Sequence, residues 1–159
     1  MTSVKQAPGW PFRDLHDFLR ALEARGELKR VKVEVDPVLE ATEIVQRVMK
    51  EEGPALLFER PKGARFPLAI NLFGSMSRIE LALGRHPQEI GEELVETFDR
   101  LNPPSLKGLW ASRRVLWRGL AMRPKQVARA PVQEVAEEPG LDALPILQCW
   151  PGDAGRFIT

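Results

Sequence analysis

Tyrosine is missing from this sequence altogether, histidine occurs twice and cysteine once. With a single thiol, Cys149, the chain can form no internal disulfide framework and no thiolate zinc site of its own. That points to a reducing compartment, and a cytoplasmic location is expected. Two histidines, His16 and His86, are too few for a histidine-built metal centre. No apolar run approaches the roughly 20 residues that span a bilayer, and the N-terminus has no apolar stretch of the signal-peptide kind. A membrane span is therefore not expected. Charge bias is also lacking: 23 lysines and arginines against 22 aspartates and glutamates leave a net charge of +1. Nothing pulls the whole chain toward nucleic acid or a lipid surface, so partners have to be sought locally. The 159 residues suffice for one domain with an appendage, able to bury about two thirds of its unfolded surface.

What is present is a change of hydrophobic period along the chain. Asp14 is placed to cap a helix in which Leu15, Phe18, Leu19 and Leu22 share one face, ended by Gly26. Residues 28–35 then alternate, with Val31, Val33 and Val35 on one side and Arg30, Lys32 and Glu34 on the other, which is the period of a strand. Asp36 as cap and Pro37 as first helical residue open a second helix carrying Ile44, Val45, Val48 and Met49, closed by Gly53-Pro54. The apolar runs 55–58 and 68–73 flank the turn residues 61–64 and predict two paired strands. Ser77 with Glu80 has the spacing of a capping box for a short helix ending at Gly84, and Pro87 begins a longer one with Ile90, Leu94, Phe98 and Leu101 on one face. Helices and strands mix without strict alternation. The expected class is α+β, a small mixed domain with a few helices packed on a short sheet. Asn102-Pro-Pro-Ser105 is the clearest break; beyond it 105–120 reads as helical, 127–135 as extended and Pro139-Gly140 as a turn. The expected division is residues 1–101, a basic connector 102–143, and a distinct final segment 144–159.

No assembled active site emerges from the residues alone. Between Leu106 and Gln133 there is no acidic residue, while Lys107, Arg113, Arg114, Arg118, Arg123, Lys125 and Arg129 are basic and Trp110 and Trp117 are interleaved. Such a segment can track phosphates while indoles stack on bases. The same pattern arises on any amphipathic helix with a solvated basic face, and that is the preferred reading. His16, beside Asp14 and Asp17, is expected on the surface, and His86 to shape or cap the helix begun by Pro87. Cys149 has no neighbouring His or Lys to lower its pKa and is expected to be a buried, inert thiol. Glu92, Glu93, Glu96 and Asp99 line one helix as an exposed flank, without the enclosure that acid-base catalysis needs. Gly152-Asp-Ala-Gly155 has the spacing of neither a phosphate-binding loop nor a dinucleotide fingerprint, and reads as a turn.

Several blocks in order carry a resemblance. They are Asp14-Leu-His-Asp-Phe-Leu19 with Gly26-Glu-Leu-Lys-Arg30, Val35-Asp-Pro37 with Glu40-Ala-Thr-Glu-Ile44, Gly53-Pro-Ala-Leu-Leu-Phe-Glu59 with Pro61-Lys-Gly63, and Asn71-Leu-Phe-Gly74. The most distinctive is Leu144-Pro-Ile-Leu-Gln-Cys-Trp-Pro-Gly-Asp153. In this order and spacing the chain resembles the N-terminal part of the UbiD family of flavin-dependent decarboxylases, the basic segment matching least. The resemblance implies a small α/β domain leading into a split β-barrel, with residues 144–159 as the start of that barrel, cut short. It implies descent from enzymes that remove or add a carboxyl group on aromatic or α,β-unsaturated acids, as in quinone biosynthesis. Their cofactor is prenylated FMN held with a divalent metal and, often, potassium.

The family's catalytic arginine, its glutamates and its metal positions lie beyond the last residue of this chain, so no catalytic and no metal-ligating residue is assigned. Only Thr159 falls near the family's cofactor pocket. The expectation is an N-terminal portion of a decarboxylase, binding no cofactor and inactive by itself. Its expected partner is the remainder of the decarboxylase chain or a separate catalytic subunit, with homo-oligomers also expected. Two alternatives stand beside it: a non-catalytic subunit that docks on a catalytic chain, and a nucleic-acid-binding module built on residues 107–129.

Overall fold

The computed structural model describes residues 10–102, 105–138 and 140–158. They form two compact units, one made of the residues up to 85 together with those from 140 onward, the other of residues 86–138.

In the first unit, helix α1 (Leu15–Ala24) starts where the Asp14 carboxylate accepts the Asp17 backbone N–H, and buries Phe18, Leu19 and Leu22. Strand β1 (Leu28–Val35) runs parallel to β2 (Ala55–Pro61), the connection between them containing helix α2 (Glu40–Lys50). Strand β3 (Leu68–Ile70) returns antiparallel on the other side of β2, giving the order β1-β2-β3. The central strand is buried on both faces, which is why its sequence is a continuous apolar run rather than an alternating one. Ala55 and Leu57 join Phe18, Leu19, Leu22 and Leu28 in one cluster, whereas Leu56 and Phe58 join Val35, Ala41 and Val45 in another. Each fully buried side chain of that size contributes roughly 1.5–3 kcal/mol.

Helix α3 (Met76–Leu83) adds Leu81 to the first cluster and ends on Gly84, whose φ of +76° is the left-handed conformation that glycine adopts without penalty. A β-carbon at Gly84 would also lie 2.7 Å from the Trp10 ring, whose Nε1–H donates to the Ala82 carbonyl.

Three local expectations shift. The register of β1 against β2 slips between Val31 and Glu34, and Val33, expected inward, is 67% exposed at that irregularity. Asp36 does not cap α2 directly. Its carboxylate accepts the Val38 N–H, Val38 bridges to Gln148, and the helix begins at Glu40 after Leu39 takes a φ of +64°. The cap of α3 is Ser75, which accepts the Arg78 N–H, because Ser77 turns its hydroxyl to Glu27 instead.

In the second unit, His86 caps helix α4 (Pro87–Leu101) by accepting the Gln88 N–H on Nδ1, as the His-Pro pair suggested. Helices α5 (Leu106–Ala111) and α6 (Arg113–Ala121) run on nearly continuously, since Ser112 donates to the Gly108 carbonyl and its own carbonyl accepts from Leu116. They lie antiparallel to α4. A β-carbon on Gly108 would stand 2.1 Å from the Arg100 carbonyl oxygen, and Arg118 reaches Glu93 at 3.6 Å near the other end. The expected extended stretch 127–135 contains only a 3-10 turn at Pro131–Gln133 and no strand.

Candidate functional site

Two surfaces gather the chemistry-bearing side chains, one in each unit. In the first, the 148–151 segment lies beside the start of α2. Gln148 donates its N–H to the Pro37 carbonyl and accepts from Leu39, and Asp153 accepts the backbone N–H groups of Cys149 and Trp150. The turn expected at 152–155 is thereby tied down by its own aspartate. Between this segment and α2 opens a cleft of about 510 Å³, lined by Leu39, Thr42, Glu43, Gln46, Cys149 and Trp150 among others. Cys149 is half-buried on this cleft rather than fully enclosed, and the Thr42 Oγ1 at its wall is buried without a partner. The carboxylates here are engaged locally: Glu40 accepts the Asp36 N–H, and Glu43 pairs with Arg47 at 2.8 Å.

Ion pairs in the first unit are structural. The Val38 N–H and then the Lys62 ammonium at 3.1 Å hold the Asp36 carboxyl below its ordinary pKa. Arg30, bonded to Glu23 at 2.6 Å and Glu59 at 3.0 Å, lowers Glu23 in the same way, and Arg13 lowers Asp17. The pattern of residues gave no warning of Arg78, which is 3% exposed and reaches the Gly53 carbonyl and Glu27, with Ser75 and Ser77 also turned to Glu27. Its only signal was an arginine three residues after a helix cap.

In the second unit, the basic segment presents Trp110 and Trp117 at 71% and 75% exposure. Leu106, Leu109, Leu116 and Leu120 join them along a groove of about 470 Å³ on α5 and α6. Arg113 stacks over the Trp110 ring at 4.9 Å, and Arg113, Arg114 and Arg118 border a second hollow beside Trp117. Glu92, Glu96 and Asp99 lie exposed along α4, while Glu93 is half-buried against Arg118. His16 is exposed on α1. Among the described residues, no group of three or more His, Cys, Asp or Glu side chains is placed to hold a metal ion.

The profile of the 3-octaprenyl-4-hydroxybenzoate carboxy-lyase N-terminal domain matches residues 19–98, and that of the same family's Rift-related domain matches 124–159. The chain belongs to this family, UbiD. It is also similar to the solved UbiD-class enzyme HmfF from Pelotomaculum thermopropionicum in complex with FMN, at 28% identity and a TM-score of 0.61 over 91% of this chain. An evolved dimeric form of HmfF in complex with prFMN matches over 53% of this chain and 19% of its own, at 32% identity and a TM-score of 0.46. The chain spans 28% of the length of the FMN-bound HmfF. The α+β class and the family expected from the ordered blocks agree with these matches.

The cleft on α2 and the groove on α5 and α6 are both open and largely apolar, and residues 156–158 are exposed and unpaired in any strand. Thr159, the one position expected near the cofactor, lies outside the described residues. Among the described residues, no helix is long and apolar enough to cross a membrane.

Proposed function

We propose that this chain is the N-terminal portion of a UbiD-type (de)carboxylase that uses prenylated FMN with a divalent metal and potassium, acting on an aromatic or α,β-unsaturated acid, and that by itself it performs no turnover. The observation that carries the reading is the pair of family matches, N-terminal domain and then Rift-related domain in that order, on a chain that covers 28% of the similar FMN-bound enzyme. The remainder of the catalyst, on the same chain or as a separate subunit, would supply the acid-base and metal groups. On this reading, residues up to about 101 act as the scaffold domain, 102–143 as connector and 144–159 as the leading edge of the cofactor domain, with Thr159 near the flavin.

A second reading, a non-catalytic subunit docking on a catalytic chain, is favoured by the exposure of Trp150 and Phe157, each at 54%. An absorption spectrum of the purified chain, with and without added FMN, tests the main reading. Flavin is expected not to co-purify, and cinnamate- or hydroxybenzoate-type acids are expected to remain unchanged. Stoichiometric flavin together with decarboxylation by this chain alone would overturn it.

A further inference from the structure

Residues 86–138 turn a basic, indole-bearing side of α5–α6 to solvent, and we propose that this side docks on a membrane surface rich in anionic lipid. The docking surface lies outside the decarboxylase reading and stands or falls without it. At 100° per residue, the buried Gly108 and Ser112 mark the side of α5–α6 that packs on α4. Leu106, Trp110 and Trp117 fall on the opposite side, within about 40° of one another, and Leu106 is 88% exposed. Leu109 and Leu120, both exposed, adjoin them on one flank.

Charge is sorted between the two layers of the hairpin. Arg113 stacks over the Trp110 ring within the strip, and Arg114 and Lys107 border the indoles on the flank away from the leucines, all three exposed. Arg118, farther round the helix, is engaged with Glu93 and stays out of the docking face. The exposed Glu92, Glu96 and Asp99 lie on the side of α4 turned away from α5–α6, since Thr97 and Ile90 mark its packed side. The indoles and their basic rim therefore face one way and the carboxylates the other. No acidic residue occurs between Leu106 and Gln133, and Met122, Arg123 and Lys125 follow α6 directly, all exposed.

Side-chain chemistry selects lipid as the occupant. A helix lying in a membrane interface sets Trp and Leu at the boundary of headgroups and acyl chains, while Lys and Arg along its rim reach back to the lipid phosphates. Single-stranded nucleic acid would use the indoles and the arginines, but the exposed leucines offer it no ring on which a base can stack. The helical stretch 106–121 is shorter than the roughly 20 apolar residues of a bilayer span, and among the described residues no helix is long and apolar enough to cross one. The hairpin thus lies on the surface, α5–α6 against the headgroups and α4 above.

The test is cosedimentation of the full chain with vesicles of equal parts phosphatidylcholine and phosphatidylglycerol, against vesicles of phosphatidylcholine alone. Binding is expected to the mixed vesicles and is expected to fall with added salt, which screens the attraction of basic side chains to an anionic surface. Trp110→Ala/Trp117→Ala is expected to weaken it on the order of 100-fold, and Lys107→Gln/Arg114→Gln roughly 30-fold. Glu92→Gln/Asp99→Asn, on the far side of the hairpin, is expected to change it less than about 2-fold. Every substituted side chain is exposed, so the circular dichroism spectrum is expected to stay the same throughout. The proposal is overturned by a chain that ignores the mixed vesicles, by equal binding to both vesicle types, or by binding indifferent to either the Trp110/Trp117 or the Lys107/Arg114 changes. A gain from Glu92→Gln/Asp99→Asn as large as the loss from Lys107→Gln/Arg114→Gln would overturn it too, because net charge and not this face would then govern attachment. So would capture of a single-stranded oligonucleotide by a chain that leaves the mixed vesicles alone.

Discussion

The two units of this molecule solve the problem of burial differently. In the first, the three-stranded sheet is covered on both faces, and every buried hydrophobic side chain among the described residues falls between Phe18 and Leu81. In the second, the described residues that are buried are Thr97, Gly108 and Ser112, none of them a source of much hydrophobic stabilisation. A short helical hairpin gains little from local propensity, because most helical stability comes from packing an apolar face. The same chain thus combines one unit built round a hydrophobic core with one whose large apolar side chains are mostly exposed.

The sharpest way to break that comparison is to truncate one large side chain in each unit. Phe58→Ala, at a fully buried position, is expected to destabilise the first unit by about 3–5 kcal/mol, read by denaturant melts. Trp117→Ala, at 75% exposure, is expected to change the stability of the dilute chain by less than about 0.5 kcal/mol. Equal costs would erase the distinction. An effect between these two is expected at Arg78, the buried cation between Glu27 and the Gly53 carbonyl. Arg78→Ala should cost about 2–3 kcal/mol by leaving those acceptors short of a donor. Arg78→Met should cost less in the same melt, because the Arg78 Nε is itself buried without a partner and the methionine fills the space without a charge.

The smallest effect is the response to acid. Asp17, Glu23 and Asp36 all titrate below their ordinary values when folded, chiefly through hydrogen bonds from Arg13, from Arg30 and from the Val38 N–H respectively. Their contribution is present above the unfolded carboxylate range, near pH 4, and is lost as pH falls through the depressed folded values. Melting temperature should therefore decline on acidification through that range, and Asp36→Asn should flatten part of the decline.

The sequence made the first unit legible because its signals are local. The Asp14 cap, the alternation in β1 and the continuous apolar run of β2 each follow from side chains a few residues apart. What escaped was set at a distance. Val33 reads as inward by alternation, yet the slip in register against β2 turns it out. Ser77 reads as a cap until Glu27, fifty residues earlier, claims its hydroxyl. Arg78 gave no pattern at all, since a buried guanidinium is defined by groups the fold brings to it. In the second unit, the stripe through Leu94 and Phe98 was legible as one face of a helix, but periodicity cannot say whether that face is covered by its own chain. The family emerged from ordered blocks of residues, whereas Thr159 rested on resemblance alone.

Native-state hydrogen exchange on the dilute full chain tests the central contrast most directly, because it reads each helix and strand separately. The account predicts slow exchange in α1, β1 and β2 and fast exchange in α4, α5 and α6. Protection of α4 to α6 equal to that of the sheet would contradict it.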